Sequence, residues 1–279
     1  MDHQDTQREW LLELLAWWEG EISPGQLAKY WQVSRQYASQ QIKRYYQQNP
    51  GSLEYHSQNK CHYATDAFEP RHLTRQVNEY LDWATLRAQP QRLITATNHN
   101  LPHEYLQHPP RHTTPEIIRP LVKAMRNNYR LDVDYISLSH PDDQGRIIVP
   151  HHFVHTGQRW HLRAWCEKSQ AFRDFVLSRF RGKPELLDKS DKTAAQDEHW
   201  NIQVTLHLKP DPRLTPEQQQ VLAEDYQMQN GELHITTRGC LVNYLLKNLQ
   251  LHPHIVESEP QAQQLVIVNK DDIKPWLFG

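Results

Sequence analysis

Glycine and cysteine are both scarce, at nine and three of 279 residues. Cys61, Cys166 and Cys240 are odd in number and far apart, which excludes a disulfide framework and a CxxC metal pair. With so few glycines, phosphate-cradling loops are rare, and no P-loop, GxGxxG, GxSxG or HExxH occurs. No apolar run approaches the roughly 18 residues of a membrane span. The longest, Trp10–Trp18, is interrupted by Glu13. The opening MDHQDTQRE carries acids and no apolar signal segment, so the expectation is a cytoplasmic protein with no membrane partner. The length predicts two or three units rather than one large core.

A net charge of -2 conceals an uneven distribution. Residues 22–60 contain Lys29, Arg35, Lys43, Arg44 and Lys60 against Glu54 alone. Residues 111–181 hold twelve Lys/Arg, ten of them Arg, against seven acids. Two basic zones in an otherwise acidic chain point to anionic partners.

Three helices are expected at the start: about 6–19, a short one opened by Ser23-Pro24-Gly25-Gln26, and one from Ser34 to about Gln47. In the third, Ala38, Ile42 and Tyr45 face inward. Strand candidates Leu53–Ser57 and Cys61–Thr65 flank a Gln58-Asn59-Lys60 turn. This is the layout of a winged helix-turn-helix. Its third helix would offer Arg35 to guanine and Gln36 or Gln40 to adenine. Ser34, Ser39, Lys43, Arg44 and Lys60 suit phosphates, and Tyr46 is a further backbone contact. A helix over Arg71–Leu86 follows, with a stripe of Leu73, Val77, Tyr80, Leu81 and Ala84. That stripe can pack on the first domain or pair two subunits.

The expected fold class is α+β multidomain: a DNA-binding domain over 1–88, a linker over 89–112, a bent sheet or partial barrel with one helix over 113–182, a second polar linker over 183–200, and a small α+β module over 201–279. The middle strands are expected at Leu131–Leu138, Ile147–Val149, Trp160–Cys166 and Phe172–Ser178. Turns at Asp142-Asp143-Gln144-Gly145 and Thr156-Gly157-Gln158 separate them. By strand parity Tyr135, Ser137 and Ser139 share a face, as do His161 and Arg163, and as do Arg173, Phe175, Leu177, Arg179 and Arg181. Converging hydroxyls and arginines suit a phosphate-bearing or nucleotide-like ligand.

The runs Pro150-His151-His152-Phe153, Trp160-His161-Leu162-Arg163-Ala164-Trp165 and Ser178-Arg179-Phe180 resemble a WYL domain, with His161 standing in place of the family's Tyr. The whole layout resembles the bacterial WYL regulators of phage-defence islands, the BrxR- and CapW-like group. The resemblance implies an Sm-like sheet or barrel in the middle domain and a homodimeric repressor that binds an inverted-repeat operator in double-stranded DNA. It also implies a nucleic-acid or nucleotide effector. The ligand contacts it suggests are Tyr135, Ser137, Ser139, His152, Arg163, Arg173 and Arg179.

No catalytic residue, cofactor or metal is expected. His151, His152, His155 and His161 lie close enough in sequence to gather on one site, but their spacing matches no zinc template. The alternative readings are a nucleic-acid-processing enzyme that docks through the winged helix, and an RNA-binding protein.

Overall fold

A computed structural model describes residues 3–85, 109, 111–139, 141, 145–253 and 257–277. The Pro-rich linker expected over 89–112, and the turn at Asp142-Asp143-Gln144, lie largely or wholly outside these residues. By its contacts the chain divides into two compact units. The first comprises 1–150, 165–171 and 175–190; the second comprises 151–164, 172–174 and 191–279.

In the first unit, α1 (His3–Trp18) is the central helix. Trp10, Leu11, Leu12, Leu14, Leu15, Ala16 and Trp18 are all buried, so it is enclosed on nearly every side. The short strand β1 (Glu21–Ile22) leads into α2 (Pro24–Trp31). The Ser23 hydroxyl accepts the Gln26 backbone N–H at 3.1 Å, and Pro24 takes the first helical position. Gln32, in the left-handed region at φ 55°, ends α2. Helix α3 (Arg35–Gln48) then begins, and Ala38, Ile42 and Tyr45 are its buried positions, as their spacing predicted. The wing pairs β2 (Leu53–His56) with β3 (Cys61–Ala64), and β1 adds to the far side of β3.

Helix α4 covers only Val77–Ala84, shorter than the Arg71–Leu86 expected, whose last residue lies outside the described set. The reason is Glu13. This fully buried carboxylate accepts the backbone N–H groups of Arg71 at 2.9 Å and His72 at 2.7 Å, and the Tyr45 hydroxyl at 3.0 Å. Amides held by a carboxylate on another helix are fixed in an extended turn, and Arg75 at φ 60° completes it. Of the two roles open to the α4 stripe, Val77, Tyr80 and Leu81 take the first: they are buried within the unit, with the Tyr80 ring stacked on Trp18.

Helix α5 (Pro115–Asn127) belongs to the same unit. Its Arg119 caps the carboxyl end of α1, donating to the Trp17 carbonyl at 2.8 and 3.0 Å. Gly20 sits at φ +83°, and a Cβ there would fall 3.1 Å from the Arg119 side chain. The positive φ favours glycine, and a Cβ would also crowd the Arg119 side chain that caps α1. Strand β4 (Tyr129–Tyr135) pairs antiparallel with β5 (Gly145–His155) on one side and β8 (Phe180–Lys189) on the other. With β6 (Trp160–Cys166) and β7 (Ala171–Val176) the sheet order is β7-β6-β5-β4-β8.

Three expectations are corrected here. Residues 183–200 are not an open linker. Strand β8 occupies 180–189, and a short helix α6 (Glu198–Asn201) follows, capped by the Asp197 carboxylate. Nor does one parity run from Arg173 to Arg181. Strand β7 ends at Val176 and a 3-10 turn over Leu177–Arg179 breaks the alternation before Arg179 and Arg181; within β7 itself Arg173 is exposed and Phe175 buried. Likewise β4 ends at Tyr135, short of Ser137 and Ser139.

The second unit contains the sheet β10-β9-β11, formed by β9 (Gln203–Pro210), β10 (Leu233–Arg238) and β11 (Leu265–Ile267). Helices α7 (Pro216–Asp225), α8 (Val242–Asn248) and α9 (Lys270–Ile273) accompany it. Val204, Leu206 and Leu208 of β9 alternate inward onto Val242, Leu246, Leu265, Ile267 and Ile273.

Candidate nucleic-acid interface

The outer face of α3 and the wing together form a groove of about 670 Å³. Arg35, Gln36, Ser39, Gln40, Lys43 and Tyr46 come from the helix, and Tyr55, Lys60 and His62 from the wing. The arrangement follows from local sequence. Buried positions four and three apart fix the inner stripe of α3, which turns 35, 36, 39, 40 and 43 outward. A left-handed residue at Lys60, φ 54°, makes the wing turn and presents its ammonium group. Arg35, Lys43 and Lys60 are exposed, and none has a carboxylate partner among the described residues. No acid lines the groove. Three unpaired cations beside amide and hydroxyl side chains offer both phosphate contacts and base-edge hydrogen bonds.

Two of the expected contacts are placed differently. The Ser34 hydroxyl accepts the Tyr37 backbone N–H at 3.1 Å, so its first role is to cap α3. Arg44 is absent from the groove lining and turns to Asp5 of α1 at 3.2 Å. Tyr55 and His62 of the wing were missed by sequence reasoning. Their rings lie 4.8 Å apart across the hairpin, and burial lowers the His62 pKa, favouring neutral imidazole. The period-two alternation of the wing could have placed them, because 55 and 62 are directly opposed.

The residues expected to contact a ligand divide between the two units. In the first, Tyr135 is a core residue: its hydroxyl accepts the Val176 N–H at 3.0 Å, and its ring meets Phe175 and Phe180 edge-on. Ser137 is half-buried and Ser139 exposed, just beyond β4. Arg179 is half-buried in the 3-10 turn.

In the second unit, Arg163 is buried in a network of charges. It donates to both oxygens of Asp197 at 2.7 and 2.9 Å, and to Asp174 at 3.2 Å. Asp174 also accepts the Tyr244 hydroxyl at 3.2 Å. Burial opposes each charge. The hydrogen bonds from His151 and Arg163 nonetheless hold the Asp197 carboxyl well below its usual range, whereas burial keeps Asp174 above its own. His152 packs its ring on Trp200 at 4.2 Å and is hydrogen-bonded to His151, their Nδ1 atoms 2.6 Å apart. Burial, helped by His151 and Arg238, lowers the His152 pKa to about 4. Arg173 is exposed. His161, at the family's Tyr position, is buried with its ring 5.0 Å from Tyr244.

The fold and groove define a winged helix-turn-helix protein carrying two further domains. Residues 4–86 match the BrxR transcriptional regulator winged helix-turn-helix domain, 116–183 the WYL domain, and 203–273 the BrxR transcriptional regulator C-terminal dimerization domain. The DNA-binding transcriptional repressor CapW of Pseudomonas aeruginosa is 33% identical over 260 residues, covering 92% of this chain and 86% of that protein. CapW of Escherichia coli (strain KTE188) is 31% identical over 92% of this chain and 86% of its own length. CapW of Stenotrophomonas maltophilia is 29% identical over 93% and 88%. The chain belongs to this family, the CapW DNA-binding transcriptional repressors. No helix among the described residues is long and apolar enough to cross a membrane.

Proposed function

We propose that this protein is a homodimeric, sequence-specific DNA-binding repressor that inserts α3 into the major groove of each half of an inverted-repeat operator. The observation that carries this reading is the acid-free groove in which Arg35, Lys43 and Lys60 stand unpaired beside Gln36, Ser39 and Gln40. One short helix reads only a few base pairs, so recognition needs two copies with half-sites one or two turns apart. The match of 203–273 to a dimerization domain supports that requirement. The chain is then a regulator rather than an enzyme, and it leaves bound DNA intact.

The WYL domain is the sensor in this reading. An anionic ligand, a short nucleic acid or a nucleotide, would find positive charge at Arg173 or Arg179, neither of which has a carboxylate partner among the described residues, and its binding would shift operator affinity through a preferred geometry of the dimer. Arg163 and Tyr135 then position the strands rather than touch the ligand, since both are already engaged within the protein. Control of a phage-defence operon is the biological setting that the family resemblance implies.

The test is selection from a random duplex library with the full-length protein, alongside light scattering. An enriched inverted repeat bound by a dimer, with the probe uncut in the presence of divalent metal, is the expected result. A monomer bound one per duplex with no sequence enriched would refute it.

A further inference from the structure

The outward face of the β9–β10 pair carries three cross-strand rungs. The Thr205 and Thr236 hydroxyls are 2.9 Å apart, and His207 lies directly opposite His234 with rings 4.2 Å apart and nearly parallel. By the same register Lys209 falls opposite Glu232, its Nζ 2.9 Å from Oε1. The turn before β10 fixes this last rung. Gln229 and Glu232 exchange both backbone hydrogen bonds across Asn230 and Gly231, each at positive φ. With Oε1 held by Lys209, the Glu232 Oε2 atom lies 2.8 Å from His234 Nε2 and 3.9 Å from His207 Nδ1. Each of the three side chains offers a donor atom within 4.8 Å of the others.

We propose that His207, Glu232 and His234 form a binding site for a late first-row divalent cation, Zn²⁺ in particular. Two imidazole nitrogens and one carboxylate oxygen are the donor set that suits zinc and disfavours magnesium or calcium, which take oxygen ligands. Tetrahedral bonds of about 2.1 Å place neighbouring donors roughly 3.4 Å apart. The two distances from Oε2 bracket that value, and the two imidazoles, now nearly parallel, would turn about their side-chain bonds so that both lone pairs meet the ion. Lys209 orients the carboxylate as an outer partner, and the solvent side leaves a fourth position for water. The cation would pin β9 to β10 within the module that matches a dimerization domain. These are not the histidines the sequence singled out: among the described residues, the donors converge here and not along His151–His161.

The experiment is a titration of the metal-free full-length chain with zinc chloride, followed by calorimetry and thermal melting, with magnesium chloride as control. Zinc should raise the melting temperature and magnesium should not. His207→Ala with His234→Ala should remove one equivalent of zinc per chain or weaken it at least tenfold. With 18 histidines in the chain, the equivalent lost is the readout. Glu232→Gln keeps the shape of the rungs and should also weaken binding, which covers the case in which the alanine pair fails to fold. No zinc binding by the wild-type chain, or identical titrations of wild type and variants, would overturn the proposal.

Discussion

Arg126 of α5 grips Glu19, just past the end of α1, through two hydrogen bonds of 2.6 and 2.7 Å. The Glu19 side chain is only 3% exposed and also accepts the Tyr80 hydroxyl at 3.1 Å. One carboxylate thus joins the helix that opens the WYL match to the winged helix, beside the Arg119 cap.

Glu19→Gln should therefore destabilise the first unit. It weakens a doubly bonded, buried carboxylate on which two elements converge, at a cost of about 1–3 kcal/mol. Arg126→Ala should cost less than Glu19→Ala, because Arg126 is half exposed and water replaces it. Chemical denaturation of the three variants checks the order. An Arg126→Ala variant less stable than Glu19→Ala would contradict it.

Asp197→Asn should be more damaging. Arg163 and Asp197 are 7% and 2% exposed, and breaking one side of a buried pair costs about 3–5 kcal/mol. Arg163→Ala leaves Asp197 and Asp174 facing each other uncompensated and should be as severe. Thermal melting would show it. Variants that melt like wild type would mean the network contributes no net stability.

His152 sets a pH dependence. Its pKa is lowered to about 4 by burial first, then by His151 and Arg238, with Asp197 pulling the other way. The folded state thus binds this proton less readily than the unfolded chain, whose histidine titrates near 6.5. The resulting stability is present above about pH 6.5 and is lost as pH falls toward 4. His152→Gln should flatten the melting temperature across that window. An unchanged slope would exclude His152 as its source.

Much of the first domain was legible because it is written in local signals. Ser23-Pro24 and Ser34 mark helix starts, and the inward spacing of Ala38, Ile42 and Tyr45 fixes which side chains of α3 face out. What escaped the sequence depends on partners distant in the chain. Glu13 looks like an interruption of an apolar stripe until Arg71 and His72 bring their amides to it. Asp197 sits in a stretch whose polarity reads as linker, and only Arg163, 34 residues earlier, shows why it is buried. Strand β8 was hidden because it is mostly solvent-exposed, with Phe180 and Pro184 its buried positions, so its alternation is faint. The parity argument for the arginines failed at a 3-10 turn that no composition signal announces.

Ser34→Ala separates folding from recognition within α3. Loss of the cap should cost about 1 kcal/mol of stability and lower affinity for all DNA alike, without altering sequence preference. A change in preference would mean that the Ser34 hydroxyl reads the operator directly.

The most direct test of the groove as a DNA reader compares wild type, Arg35→Ala and Lys43→Ala on the selected operator and on random duplex over a range of salt concentrations. Arg35→Ala should lose about 1–3 kcal/mol on the operator and little on random DNA. Lys43→Ala should weaken both equally and reduce the salt slope by about one. Equal losses on both duplexes for Arg35→Ala, or unchanged binding in both variants, would contradict the assignment of α3 to the major groove.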